Sequence, residues 1–200
     1  MIVVVFDVES VGLHGEGFAA GAVVVDTETG ETLEEFAEGC HPGGAIGTAE
    51  DREWVMNNLP GLIITHPYPG YMRDAFWTFW RKWADQGAFL LADCAWPVEA
   101  NFLSSCIAHD PHDRKWQGPY PLLDLAPILW AQGIDPKGTF GRLENELPVH
   151  DPLADARQTA RLLLEALKRQ KDGLDEPDTC MDCGSVVIAG HCPVCSNHGL

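Results

Sequence analysis

The chain is short of positive charge. Against 30 Asp and Glu it carries 13 Lys and Arg, a formal net charge of −17 over 200 residues. That argues against a protein that coats long nucleic acid through counterion release. It leaves open an enzyme whose divalent ions neutralise a substrate's phosphates. Long apolar runs are also missing, so no membrane-spanning helix is expected. The N-terminus has no basic region and no small-residue cleavage site. Met-Ile-Val-Val-Val-Phe is followed at once by acidic residues and reads as a strand, not a signal peptide, so the expected address is cytoplasmic. Internal repeats and low-complexity tracts are absent. Of the seven cysteines, four form two Cys-x-x-Cys pairs near the C-terminus, which is metal spacing and not a disulfide framework. Cys40, Cys94 and Cys106 are scattered and read as buried or incidental thiols.

What is present suits one α/β domain with an appendage. Hydrophobic residues make up 46% of the chain, and seven are Trp, enough for a real core. Residues 2–6 form a β-branched run, the pattern of a central strand. Runs at 18–26 and 33–40 flank the polar turn Thr27-Glu28-Thr29-Gly30-Glu31, which predicts an antiparallel hairpin. A short helix is expected at 50–58. Met72, Phe76, Phe79, Trp80 and Trp83 recur at helical steps and predict a helix over 71–86 with a buried aromatic face. A strand at 88–92, a helix from Pro97 to about His109, a strand at 120–123 and a helix at 124–132 follow. The last helix spans 151–171, its basic end suited to the helix dipole. The expected architecture is a mixed five-stranded sheet flanked by helices, with antiparallel pairing at one side.

Two small motifs carry chemistry. Asp7 and Glu9 lie two apart on the first strand, so both carboxylates point the same way. Such a pair is costly to bury unless a hard cation such as Mg²⁺ or Mn²⁺ binds it. The plain alternative is a solvated strand end. His150 precedes the last helix and Asp155 lies in its first turns. A neutral imidazole there can take a proton from water, and the carboxylate can hold metal. The plain alternative makes Asp151 or Asp155 a charge suited to a helix start and His150 a loop residue.

Together these motifs resemble the DEDDh (DnaQ-like) 3′→5′ exonucleases over roughly residues 1–170. The Asp-x-Glu strand, the hairpin after it and the His-x4-Asp opening the last helix carry the resemblance. It implies a ribonuclease-H-like fold, two Mg²⁺ or Mn²⁺ ions, and phosphodiester hydrolysis at single-stranded DNA or RNA 3′ ends. It implies Asp7, Glu9 and Asp155 as ligands and His150 as general base. The family's second carboxylate stands three residues before an apolar pair. Here Phe102-Leu103 is that pair, and Glu99, not aspartate, holds the position. Glu99 is favoured on spacing and Asp93 on residue type. Val11, Leu13 and His14 are candidates for the wedge that holds the last bases. Arg73, Arg81, Lys82, Arg114, Lys115, Arg142 and Arg157 are the cations that could meet a substrate backbone, and Arg114-Lys115-Trp116 pairs charge with a stacking surface, the plain alternative being an ordinary solvated loop.

The tail reads separately. Residues 1–172 form the nuclease-like domain, 173–179 an acidic linker, and 180–200 the appendage. Cys180, Cys183, Cys192 and Cys195 resemble a zinc ribbon holding one structural Zn²⁺, with a redox dithiol pair or a four-cysteine iron site as the rival. From Asp172 onward there are five acids and no Lys or Arg, so the tail suits a cap or a protein-docking knob better than a phosphate-binding module. Two rival functions remain: a nuclease-fold scaffold without catalysis that docks through its ribbon, and an endonuclease on RNA in hybrids, against which the His-x4-Asp pair argues.

Overall fold

A computed structural model describes residues 1–59, 61 and 63–173. The four-cysteine tail and the acidic linker lie outside the described residues. Met1–Leu164 forms one compact unit, and a second begins at Glu165.

The five-stranded sheet has the order β3-β2-β1-β4-β5. Its strands are β1 Ile2–Ser10, β2 Gly17–Asp26, β3 Thr32–Gly39, β4 Phe89–Ala92 and β5 Leu122–Asp124. The first three pair antiparallel and β4 and β5 join in parallel, as the hairpin and the later crossovers require. Gly30 supplies the positive φ of +75° in the β2–β3 turn. The helices are α1 Ala49–Asn58, α2 Pro69–Ala84, α3 Val98–His109, the short α4 Pro111–Arg114, α5 Leu125–Ala131 and α6 Pro152–Gly173. Among the described residues no helix is long and apolar enough to cross a membrane.

The aromatic face of α2 is core, as its periodicity predicts. Met72, Phe76, Phe79, Trp80 and Trp83 are buried against Phe6 of β1, Leu90 of β4 and Phe102 of α3. Phe76 meets the rings of Phe6 and Phe102 at 5.4 and 5.1 Å between centroids. Each such side chain contributes about 1.5–3 kcal/mol by leaving water.

Several boundaries differ from expectation. β1 runs on to Ser10, because β2 pairs with it along that whole length. Asp7 and Glu9 therefore lie on the strand, as their spacing requires. β5 begins at Leu122, not Tyr120: Tyr120 is exposed and Pro121 has no N–H for the ladder. Helix α2 starts two residues early, at Pro69, since proline is pre-shaped for the first helical turn. The small helix α4 is an addition, capped by the Asp110 side chain on the Asp113 N–H. Helix α6 runs on to Gly173.

Candidate active site

The site begins where β4 ends. In register, Leu91 of β4 stands beside Val5 of β1, and β4 stops at Ala92. From Asp7 onward, β1 keeps β2 on one side and has no strand on the other. The α3 helix fills that edge. Glu99, in its first turn, is buried, and the backbone amides of Val8 and of Glu99 itself lie near enough to favour its charged form.

Helix α6 arrives from the opposite direction. Its start lies directly on β2 at Gly21, the residue paired with Asp7. A Cβ at Gly21 would stand 2.2 Å from the Leu153 nitrogen and the Pro152 carbonyl carbon, so only glycine admits this approach. Asp151 starts the helix, accepting from the Leu153 and Ala154 N–H groups at 3.0 and 2.9 Å. That is the helix-start role the sequence offered it. Asp155 goes further: one oxygen accepts from the His150 N–H at 3.1 Å and the other pairs with Arg142.

His150 has a φ of +63°, the single non-glycine residue with positive φ among those described. A histidine held there costs about 1–2 kcal/mol, and such strain concentrates at functional sites. The bond to Asp155 helps hold it. Its Nδ1 lies 3.6 Å from Glu9 Oε1, and Trp54 of α1 meets its ring edge-on at 5.9 Å.

Glu9, His150 and Asp155 each offer a ligand atom, and these atoms lie within 4.8 Å of one another. Asp7 stands beside them. Burial, then the charges of Glu99, Glu9, Asp155 and Asp93, hold its carboxyl well above the usual range. Burial and then Asp155, Glu99 and Asp151 push Glu9 up to about 7. Burial pushes Glu99 up to about 7 as well; the nearby backbone amides oppose the shift, while Asp93 and Asp124 add to it. Asp93 sits just past β4, where partial desolvation, then Asp124 and Asp155, raise its carboxyl and Arg142 lowers it. Carboxylates packed so that each resists ionisation of the next could be neutralised by a shared cation. All-oxygen donors with one imidazole suit a hard divalent ion such as Mg²⁺ or Mn²⁺.

These groups open into a cavity of about 590 Å³. Asp7, Glu9, His150 and Asp155 form its floor, and Leu13, Asp51, Trp54 and Val98 form its walls. Leu13 and Trp54 are apolar and more than half exposed, at 67% and 51%. Of the wedge candidates, Leu13 lines this cavity. Val11 does not: it is fully buried in a small core with Phe18 and Val55. His14 lines a neighbouring shallow groove with Asn101, Ser104 and Ser105.

Sequence reasoning missed Trp54. The signal was a tryptophan on a helix whose only buried residue is Val55. Six of the seven basic residues that the sequence offered to a substrate backbone are paired with carboxylates. Arg73 pairs with Glu16, Arg81 with Asp85, Lys82 with Glu34, Arg114 with Asp74 and Arg157 with Glu35. Sequence spacing cannot show these pairs, because most join residues far apart along the chain. Arg142 pairs with Asp155 and also donates to the Glu146 carbonyl at 2.9 Å. Of the seven cations named, Lys115 alone has no carboxylate partner among the described residues; it lies near the exposed ring of Trp116.

No family model matches the sequence, and no curated protein matches it. Solved structures do. The moderately thermophilic exonuclease I from Methylocaldum szegediense is 14% identical with a TM-score of 0.59, over 85% of this chain and 41% of that one. The zinc-ion-bound E. coli ExoI–ssDNA complex is 15% identical with a TM-score of 0.59, over 87% of this chain and 42% of that one. The nuclease domain of 3′hExo, a DEDDh family member bound to rAMP, is 18% identical with a TM-score of 0.48, over 84% and 92%. The chain thus spans about two-fifths of the length of the two exonucleases I. At this low identity the fold of the chain is similar to that of the two exonucleases I. That likeness is one of fold.

Proposed function

We propose that this protein is a metal-dependent 3′→5′ exonuclease that releases nucleoside 5′-monophosphates from single-stranded DNA or RNA ends. One observation carries the reading: Asp7, Glu9 and Asp155 converge with His150 on a single cavity that also has an aromatic wall, and the buried Glu99 lies near enough for its charge to act on Asp7. Asp7, Glu9, Glu99 and Asp155 would hold the ions. Glu99 is preferred to Asp93 as the second-motif carboxylate because its charge is the largest acting on Asp7, while that of Asp93 is the smallest of those that act. Bound Mg²⁺ or Mn²⁺ supplies an acidified water and stabilises the charge that develops on the phosphate.

The chain's own groups do the rest. His150 is half exposed at 48%, so its imidazole reaches solvent and accepts the proton of the attacking water. Water adds to the scissile phosphorus and the bond to the 3′ oxygen breaks. The shortened strand keeps a 3′-hydroxyl and the 5′-monophosphate departs. Asp155 orients His150 through its backbone N–H. Trp54 and Leu13 hold the terminal base between them, and closing on the base excludes water.

Asp93 remains the alternative second-motif carboxylate on residue type. We further propose that Cys180, Cys183, Cys192 and Cys195 hold one structural Zn²⁺ in a ribbon that docks a protein partner. One zinc per chain, lost in Cys183→Ser, is the expected outcome by elemental analysis.

A 3′-labelled oligonucleotide with Mg²⁺ or Mn²⁺ tests the catalytic reading. Stepwise shortening that vanishes in Asp7→Ala and His150→Ala supports it, and no degradation of any substrate sinks it. The rival, a scaffold without catalysis, is favoured by the Arg142 guanidinium standing on Asp155. Such a scaffold should bind no Mn²⁺ at the carboxylates in calorimetric titration.

A further inference from the structure

The cavity's charge and size bear on which nucleic acid it takes, an inference that rests on the exonuclease reading. A nuclease that grips a strand needs cations along the strand's path, roughly one for each phosphate neutralised. Within Met1–Leu164 the arginines are spent inside the protein. Arg73, Arg81, Arg114, Arg142 and Arg157 pair with carboxylates, Arg161 pairs with Glu146, and Arg52 donates to the Ala45 and Gly47 carbonyls. Lys82 is held by Glu34. Lys115 and Lys137 remain in this unit, and neither lines the cavity; Lys168, Arg169 and Lys171 are exposed near the end of α6 and do not line it either. Past Gly173 the sequence has no Lys or Arg.

The cavity offers the opposite charge in its lining. Asp51 lines it together with Trp54. Its oxygen accepts from the Thr48 hydroxyl at 2.5 Å, a neutral partner that leaves its charge in place. Divalent ions at the floor can balance the scissile phosphate, but nothing on the walls balances the next. The volume of about 590 Å³ lies within the roughly 300–1,000 Å³ of sites that enclose a small ligand, and the recognition surface is apolar: Trp54, Leu13 and Val98.

We infer that the substrates are very short oligonucleotides, di- and trinucleotides, bound through the terminal base, its sugar and the scissile phosphate. Longer strands gain no affinity from their added phosphates.

The test is a length series of labelled DNA and RNA oligonucleotides, from dimer to about 20-mer, hydrolysed with Mn²⁺ at about 50 and 200 mM salt. With one phosphate neutralised, salt should raise KM no more than about threefold. The dimer's kcat/KM should lie within about threefold of the 20-mer's. A rise above tenfold from dimer to decamer, with a comparable loss at high salt, would overturn the inference. A second arm replaces Mn²⁺ with Ca²⁺ and reads binding by fluorescence anisotropy. If no length is hydrolysed, the exonuclease reading fails, and this arm still decides the ligand class. Equal affinity for dimer and 20-mer supports short ligands. Tighter binding of the 20-mer, or no binding at any length, overturns them.

Discussion

Neutralising Glu99 should stabilise the protein when no divalent ion is present, by an amount that grows with pH. The carboxyl is buried and raised from 4.5 to about 7. A carboxylate whose folded pKa lies above its unfolded value adds no cost below pH 4.5. Its cost grows between 4.5 and 7 and is fully present above 7, because only the unfolded chain ionises freely in that window. A shift of about 2.5 units at about 1.36 kcal/mol each gives roughly 3 kcal/mol at pH 8, and close to zero at pH 4. Glu99→Gln removes the charge and keeps an oxygen near the Val8 N–H. The assay is urea unfolding of wild type and variant, without added divalent ions, from pH 4 to pH 8. The variant should gain about 3 kcal/mol at pH 8, or about 6–12 °C in Tm for a chain of this size. Saturating Mn²⁺ should narrow or reverse the gap, since the wild type binds the ion more tightly. A gap that stays flat across the pH range, or a variant less stable than wild type at pH 8, would refute the reasoning.

Three further outcomes follow from the same geometry. Arg142→Ala leaves Asp155 without its guanidinium, so the divalent-free protein should lose about 1–3 kcal/mol and recover it on adding Mn²⁺; an unchanged unfolding midpoint would make Arg142 a bystander. Trp54→Ala removes a stacking surface worth about 1–3 kcal/mol per base, so KM should rise roughly 5- to 150-fold. Trp54→Phe should restore most of that, and neither variant should shift Tm appreciably because the side chain is half exposed. Gly21→Ala drives a methyl into the start of α6. It should cost about 1–3 kcal/mol and weaken Mn²⁺ binding in calorimetry, because Asp155 and His150 move with the helix.

Much of this was legible in the sequence because it is local. The aromatic stripe of α2 had to be core: its spacing leaves no other face for five large apolar side chains. Asp7 and Glu9 share one side of β1 by the period of a strand, and His150 and Asp155 flank a helix start that Asp151 caps. The hairpin followed from Gly30 in a polar turn. Boundaries were less legible. They depend on partners, as β1 shows by continuing to Ser10 only because β2 lies alongside.

The residue types, their periodicity and the order of the elements were the sequence's own contribution, because a side chain's face on a strand or helix depends on neighbours a few positions away. Tertiary structure decided what distant parts do to one another. It set Glu99 beside Asp7, because β4 stops short and α3 fills the open edge of β1. It brought Trp54 against His150. It also consumed the arginines that the sequence left available for a substrate, since a guanidinium is committed only when the fold brings it a carboxylate. Arg157 and Glu35, separated by 122 positions, meet only once α6 has docked.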